Sequence, residues 1–252
     1  MRKAMTDSAG RYLYGAAAIG FGLCALIWHD ISGVRQFQAF GSAGAREILA
    51  SLVGAVEILA GTAVLWTGTS RAGAVLLGAL YGAFALLGVP YVIEQPSVYN
   101  NYGNVFEQLA LASGAMMLVT DSIWTRIGFV AFCACLVSFA LEQVFYLAAT
   151  AALVPAWIPP GRYFWACATT AAFVLAAVAM LTGVLAPLAA RLNAAMILGF
   201  GVLVWVPALV TDPRAAGNWS EGIETFAIAG SAWIAAGLVA RGRATARRSV
   251  AP

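Results

Sequence analysis

Carboxylic acids inside long apolar stretches are the residues of this sequence best suited to chemistry. Glu57 stands in the segment LVGAVEILAGTAVLW, which contains no lysine or arginine to pair with it. An ionised side chain at the centre of a membrane costs about 2.5–3.5 kcal/mol on insertion scales, so the neutral acid is favoured there. Such a group can relay protons, hydrogen-bond a quinone or hold a cation. The structural alternative is a protonated acid that only joins two helices.

Two glycines predict where the Glu57 side chain points. Gly54 and Gly61 lie three positions before and four positions after Glu57, so all three share one face of a helix. Small residues on a helix face allow a neighbouring helix to approach closely. We therefore expect Glu57 to face the interior of a helix bundle and not the lipid.

Three further acids fall in or beside apolar segments. Glu107 and Glu224 are expected at the beginnings of helices, where the helix dipole and free backbone N–H groups favour a carboxylate. A capping role and a functional role are equally compatible with that placement. Glu142 has Ser138 and Tyr146 four positions away on either side, which makes it a candidate for an internal hydrogen-bonded acid.

A polar pair and a polar loop complete the candidates. His29 and Asp30 are expected to end the first helix, where they can move protons or serve as a polar terminus. Tyr91 and Glu94 belong to a predicted loop rich in tyrosine and asparagine, YVIEQPSVYNNYGN, and aromatic side chains at that depth more often serve as membrane anchors. The predicted site is a pocket open to the periplasm that Glu57, Tyr91, Glu94 and Glu107 line together. The candidate catalytic residues are Glu57, Glu107, His29 and Asp30, and the candidate ligand contacts are Tyr91, Glu94, Glu142 and Glu224.

Histidine and cysteine content limits the cofactors. His29 is the only histidine, so the chain by itself supplies neither bis-histidine haem ligation nor a histidine-rich metal site, and we predict no metal site. The four cysteines fall in predicted membrane segments, where small apolar fillers are the favoured interpretation. Cys133 and Cys135 are two positions apart and diverge on a helix, which disfavours a redox pair.

The elements that position these residues are membrane helices. The 252 residues are 62% hydrophobic and 10% charged, with a mean hydropathy of +0.85. Runs of about 20 apolar residues match the thickness of a bilayer. The sequence predicts an all-α polytopic membrane protein with eight spans, at Tyr12–Ile31, Glu47–Trp66, Ala72–Tyr91, Val105–Val119, Trp124–Val154, Tyr163–Ala186, Leu188–Val210 and Gly222–Ala240.

Basic residues predict the orientation of these spans. Ten of the fourteen lysines and arginines fall on the side of the chain termini, and four fall on the opposite side. The positive-inside rule then places both termini in the cytoplasm of a bacterial-type inner membrane. Nucleic-acid binding is disfavoured, because no basic patch interleaved with aromatic residues occurs.

The two halves of the sequence resemble each other. A shift of 117 positions aligns Gly82 to Ala115 with Gly199 to Ala232 without a gap, with shared proline, asparagine and glutamate positions. The sequence therefore predicts two parallel four-helix repeats, residues 1–121 and 122–252. Tandem repeats commonly bind ligands between their halves. Glu57, however, aligns with the apolar stretch around Phe173 and Val174, so we expect a site weighted towards the first half.

Three segments of the first half carry a family resemblance. The RYLYGAAAIGFG opening, the REILASLVGAVEILAGTAVLW helix with its short basic turn, and the FEQLALASGAMML helix resemble the DoxX-like superfamily of four-helix membrane modules, here duplicated. The resemblance implies a redox or quinone-linked role, with Glu57 and Glu107 as the positions carried over. The chain itself offers no flavin, haem or iron–sulfur motif, so we expect any electron-delivering cofactor to belong to a redox partner subunit.

Three functions are compatible with these patterns. The first is a quinone-interacting subunit of a membrane oxidoreductase, whose carboxyl groups exchange protons with the quinone head group. The second is a proton-coupled transporter of a small molecule or lipid. The third is a structural membrane anchor for a partner complex.

Overall fold

The fold is described from a computed structural model. It covers the backbone of residues 2–31, 34, 37, 41–119 and 123–249, and within these the side chains other than those of 2–8 and 243–249. Several charges used for the predicted topology, and the repeat boundary at residues 121 and 122, lie outside these descriptions. Those charges are Arg2, Lys3, Asp7, Arg35, Asp121, Arg243, Arg247 and Arg248.

The described residues form helices and contain no strand. Ser42 caps the second helix by accepting a hydrogen bond from the Ala45 N–H at 3.3 Å, and Gly183 ends the seventh with a φ of +79°. The helices are α1 (Arg2–Trp28), α2 (Ala43–Leu65), α3 (Ser70–Glu94), α4 (Tyr99–Leu118), α5 (Ile123–Phe145), α6 (Leu147–Leu153), α7 (Arg162–Thr182), α8 (Ala186–Phe200), α9 (Val206–Thr211) and α10 (Ala216–Ser249), with a π-helical segment (Gly201–Trp205) joining α8 to α9.

The described chain has seven helical stretches that are long and apolar enough to cross a membrane. They define a multi-pass membrane protein. The predicted fourth span corresponds to α4, which is 20 residues long but begins with the polar run YNNYGN and is not among the seven. Half of its residues are buried against other helices, so α4 needs little lipid-compatible surface.

The predicted fifth span, Trp124–Val154, is wrong in its extent. Helix α5 ends at Phe145, and the short helix α6 follows after a break at Tyr146. Tyr146 has a φ of −117° and a ψ of +39°, outside the α-helical region. Apolar composition continues through the break, which is why hydropathy alone joined the two helices.

For description we divide the long helices into a first group, α1 to α4, and a second group, α5, α7, α8 and α10. Neighbours in the first group are α1 with α2, α2 with α3, and α3 with α4; in the second they are α5 with α7, α7 with α8, and α8 with α10. Contacts of α1 with α10, α4 with α5 and α4 with α10 join the groups. We call the end of the bundle opposite the chain termini the distal face. Of the described residues, 29–31, 41–42, 95–98, 146–161 and 212–215 lie there.

Glycines bring α1 and α2 into backbone contact. A Cβ atom on Gly54 would lie 2.7 Å from the Gly22 carbonyl oxygen, and one on Gly61 would lie 2.8 Å from that of Gly15. Nothing larger than hydrogen fits at either point. The predicted close approach of a helix on the Gly54–Glu57–Gly61 face is thus confirmed, and α1 is the helix that approaches.

Corresponding corners of the two groups have the same pattern of hydrogen bonds. The Asn101 side-chain amide donates to the carbonyls of Tyr91 (3.2 Å) and Gln95 (3.4 Å). The Asn218 amide donates to those of Ala208 (3.3 Å) and Asp212 (3.4 Å), each 117 positions further on. Near the centre of the bundle Gly114 of α4 packs directly on Ser231 of α10, which is also its partner at that spacing.

Candidate functional site

Glu57 lies inside the first helix group, as predicted. Its residue is 4% exposed on α2, and the buried hydroxyl groups of Tyr14 on α1 and Tyr81 on α3 are its neighbours. The Tyr14 hydroxyl donates to the Leu111 carbonyl at 2.7 Å. The Tyr81 hydroxyl lies against the Glu57 carboxyl without a hydrogen bond of standard geometry. We call Glu57, Tyr14 and Tyr81 the polar core.

A second set of acids meets where the two helix groups join. Glu224 on α10 is 6% exposed, and its Oε1 atom accepts a hydrogen bond from the Gln108 Nε2 atom on α4 at 3.3 Å. The carboxylates of Glu107, Glu142 and Glu221 are close enough to interact with it electrostatically. We call these four glutamates the acid cluster. It draws on α4, α5 and α10, so the expectation of a site weighted towards the first half is wrong for this part of the molecule.

The expected position of two of these acids at the beginnings of helices is also wrong, which removes the capping alternative. Helices α4 and α10 begin at Tyr99 and Ala216, so Glu107 and Glu224 each lie two turns inside their helices. Polar residues ahead of each glutamate, which resemble a loop in sequence, form those first turns. Neither carboxylate therefore finds free backbone N–H groups at a helix start.

The polar core and the acid cluster are neighbours. The Tyr81 hydroxyl interacts electrostatically with both Glu57 and Glu224. Titratable side chains thus follow one another from the acid cluster to the middle of α2. Such a series has the composition of a proton path, because each member can donate and accept a hydrogen bond when protonated.

A polar cavity of about 530 Å³ lies beside the acid cluster at the distal face. We call it the acidic cavity. Acidic and amide groups dominate its polar lining, and no lysine or arginine of the described residues contributes to it. Its walls are Cys24, Trp28, Asp30, Ile31, Val34, Asn100, Asn104, Glu107, Glu142, Ala216, Gly217, Ser220 and Glu221.

A second cavity of about 540 Å³ shares Asn100, Glu107 and Glu142 with the first. We call it the aromatic cavity, because phenylalanines of α5, α7 and α8 form much of its wall. Phe173 makes edge-to-face contacts with Phe139 and Phe200, with ring centroids 5.8 and 6.2 Å apart. The remaining lining residues are Gln143, Tyr146, Ala149, Thr150, Leu153, Ile197, Thr225 and Ile228.

Glu142 is held at the boundary of these two cavities by a glycine. Its carboxylate packs directly on Gly103 of α4, where any side chain would collide with both carboxylate oxygens. The predicted partners on its own helix are engaged elsewhere. The Ser138 hydroxyl is 3.1 Å from the Tyr99 hydroxyl, and the Tyr146 hydroxyl accepts from the Asn100 N–H at 3.1 Å.

The remaining candidates lie apart from one another. Asp30 lines the acidic cavity, and its Oδ1 atom accepts from the Ile31 N–H at 2.9 Å. His29 is exposed, with its Nε2 atom 3.9 Å from the Glu47 carboxylate. Tyr91 is partly buried, Glu94 is exposed, and neither lines the acidic or the aromatic cavity. The predicted grouping of Glu57, Tyr91, Glu94 and Glu107 in one pocket is therefore wrong, since α3 carries Tyr91 and Glu94 away from the acids.

Sequence reasoning missed several residues of this region. Tyr14 and Tyr81 were read as part of apolar helices, although each places a hydroxyl group in the middle of one. Gln108 follows Glu107 directly, and this polar pair inside a span was a usable signal.

The described residues hold no group of three or more histidine, cysteine, aspartate or glutamate side chains with the arrangement of a metal site. The four cysteines are free thiols. Cys24, Cys133 and Cys135 are buried and Cys167 is exposed. What the fold and the site define is a multi-pass helical membrane protein with internal carboxylic acids where two four-helix groups meet.

Comparison with known proteins adds no relative to this description. No protein-family model, no curated protein and no solved structure matches the chain. The DoxX-like resemblance stays a prediction from the sequence.

Proposed function

We propose that this protein is a quinone-linked subunit of a membrane oxidoreductase, in which buried carboxylic acids exchange protons with a bound quinone. The quinone head group occupies the aromatic cavity. Its two electrons come from a redox partner protein, and its two protons pass through the acid cluster. The acidic cavity opens towards the periplasm, and both chain termini are cytoplasmic, as the distribution of basic residues favours.

The observation that carries this proposal is the position of Glu107 and Glu142 on the walls of both cavities. On one side they meet a polar space lined by Asp30, Asn104 and Glu221. On the other they meet phenylalanine rings, which suit a flat, apolar ring system. A carboxyl group at such a boundary can take a proton from the polar side and give it to an oxygen atom on the apolar side.

The same proposal includes the number of membrane spans and the internal repeat. We take α4 as an eighth span, since 20 helical residues extend about 30 Å. We also take the two helix groups as copies of one DoxX-like module. The equivalent Asn101 and Asn218 hydrogen bonds and the Gly114–Ser231 contact support a parallel repeat with an axis through the α4–α10 crossing.

Calorimetric titration of the purified protein with a benzoquinone that carries an isoprenoid or alkyl tail tests the function. Titrations in two buffers of different ionisation enthalpy also count the protons that are taken up or released on binding. We expect saturable binding by the wild type and a proton count different from zero. Glu142→Gln should weaken binding about tenfold, equivalent to about 1.4 kcal/mol, and change the proton count.

The matched control is Glu94→Gln, the same substitution at an exposed acid outside both cavities. It should bind as the wild type does. Absence of quinone binding to the wild type, or equal weakening by the two substitutions, would overturn the proposal.

A proton-coupled transporter is the second candidate. It is favoured by the series of titratable side chains that leads inwards from the acid cluster through Tyr81 to Glu57. In this mechanism Glu57 takes and releases a proton with each transport cycle. Proton movement into sealed vesicles that contain the protein, dependent on a transported solute and absent in Glu57→Gln, would favour transport over quinone chemistry.

A further inference from the structure

An apolar groove extends the aromatic cavity towards the side of the bundle. It has a volume of about 270 Å³ and lies between the segment 147–158 and the π-helical segment 201–205. We call it the lateral groove. Gln143, Thr150, Leu153, Phe200 and Thr225 line both spaces, so groove and cavity are continuous.

The outer end of the lateral groove faces the region that lipid occupies. Leu153 is 53% exposed and Leu203 is 41% exposed, and both belong to its walls. Leu203 lies on one of the stretches apolar enough to cross a membrane, so its exposed surface meets acyl chains. An occupant that reaches this groove therefore comes from the bilayer.

The inner end carries a side-chain amide, that of Gln143. Its Oε1 atom lies 2.8 Å from the Thr170 hydroxyl and 3.4 Å from the Thr169 hydroxyl, both on α7. Each hydroxyl has a shorter contact with a carbonyl of α7 itself, at 2.7 Å for Thr170 and 2.9 Å for Thr169. These contacts hold one end of the planar amide at α7. Gln143 lines both the groove and the aromatic cavity, so the other end of the amide is placed to hydrogen-bond an oxygen atom of an occupant.

The π-helical segment keeps the groove open. Val204 and Trp205, in the wide turns of this segment, form one wall, and the next helix begins at Val206 with Pro207 close to its start. A π-helical turn displaces side chains from the positions of a regular α-helix. The corresponding part of α3 in the first group is regular helix.

We infer that the lateral groove is the entry path and tail site for a lipid-soluble ligand with one long apolar chain. The ligand enters sideways from the bilayer, its carbonyl oxygen accepts a hydrogen bond from Gln143, and its chain remains in the groove. This inference rests on the proposed function, because the ligand is the quinone of the aromatic cavity. It adds that the chain, and not only the head group, is recognised.

Affinity measurements with two benzoquinones, one without a tail and one with an unbranched alkyl tail, test the inference. The protein is held in nanodiscs of one lipid composition, and each affinity is corrected for partition of the compound into empty nanodiscs. We expect the tail to tighten binding to the wild type at least tenfold. Val204→Trp should fill the groove and remove this gain, while binding of the tail-less compound stays within about twofold.

Val202→Trp is the matched control, because Val202 is on the same segment, is 50% exposed and does not line the groove. It should keep the advantage of the tail. Gln143→Leu should weaken both compounds to the same degree, since it removes the donor and leaves the groove open.

The outcomes separate the two proposals. If the tail-less compound binds but the tail gives no advantage, or Val202→Trp and Val204→Trp act alike, the lateral groove is not a tail site and the proposed function stands. If neither compound binds, the proposed function fails. Cross-linking with a photoreactive phosphatidylcholine then identifies what occupies the lateral groove. Cross-links to residues 147–158 and 201–205 that are the same in the wild type and in Val204→Trp would mean that bulk lipid covers this surface. That result would overturn the inference as well.

Discussion

The two helix groups bury side chains of different chemistry in corresponding helices. In the first group the middle of α2 carries Glu57, which is 4% exposed and lies beside the hydroxyl groups of Tyr14 and Tyr81. In the second group the aligned stretch on α7, around Phe173 and Val174, contains Phe173, which is also 4% exposed and contacts the rings of Phe139 and Phe200. One group therefore encloses an acid and the other encloses an aromatic cluster.

The two groups also differ in how closely their helices pack. Glycines hold α1 against α2 at backbone distance, so little space remains around Glu57. In the second group α7 has no glycine, and a short extra helix, α6, follows α5. The lateral groove lies in that group, and the aromatic cavity lies between it and α4, which contributes Asn100 and Glu107. In the proposed function, the close-packed group would hold a proton site and the open group would receive most of the ligand.

The largest expected effect is on the aromatic cluster. Phe173→Glu places a carboxyl group among phenylalanine rings with no partner such as Tyr81. Loss of the aromatic packing alone costs about 3–5 kcal/mol, and the buried acid adds to this. We expect little folded protein in detergent by size-exclusion chromatography and thermal unfolding. Phe173→Leu is the control, and normal stability of Phe173→Glu would show that the second group tolerates an internal acid as the first does.

A smaller loss is expected where α1 meets α2. Gly61→Ala places a Cβ atom 2.8 Å from the Gly15 carbonyl oxygen, so the helices must separate. Overpacking of this kind costs about 1–3 kcal/mol. Gly82→Ala on α3 has no atom within 4 Å of the added methyl group and should be neutral or slightly stabilising. Equal unfolding temperatures for the two variants would contradict the close approach of α1 and α2.

The equivalent corners of the two groups predict a matched pair of effects. Asn101→Ala and Asn218→Ala each remove side-chain hydrogen bonds to two carbonyl groups, worth about 0.5–1.5 kcal/mol per bond. Asn101 is 4% exposed and Asn218 is less buried, so Asn101→Ala should cost more. Chemical unfolding of both variants measures the difference. A larger loss for Asn218→Ala would contradict the expectation that burial sets the cost of removing these hydrogen bonds.

The smallest effect on stability, and the sharpest on function, is expected for Glu57→Gln. Glutamine has the shape of the neutral acid, so we expect the free energy of unfolding to change by less than about 1 kcal/mol. Proton handling should nevertheless be lost, because an amide does not titrate. Proton movement into sealed vesicles that contain the protein, measured beside thermal unfolding, checks both parts. Unchanged proton movement in Glu57→Gln would remove Glu57 from the proton path.

The sequence was a good guide to some positions and a poor one to others. The burial of Glu57 and the close approach of another helix followed from Gly54 and Gly61, because helical spacing fixes which residues share a face. The expected position of Glu107 and Glu224 at the beginnings of helices was wrong, since polar first turns resemble loops in sequence. The prediction that Tyr91 and Glu94 line the pocket was wrong, because sequence spacing says little about distances between helices that are not neighbours along the chain.

The sequence by itself determined the class of molecule. Apolar runs of bilayer length dictate helices, since backbone polar groups have no other partners in hydrocarbon, and internal acids mark the positions that need protection from it. Only the tertiary structure decided which acids meet. Glu107, Glu142 and Glu224 come from three helices of two groups, and their proximity depends on crossings such as that of Gly114 and Ser231, which no periodicity within one helix encodes.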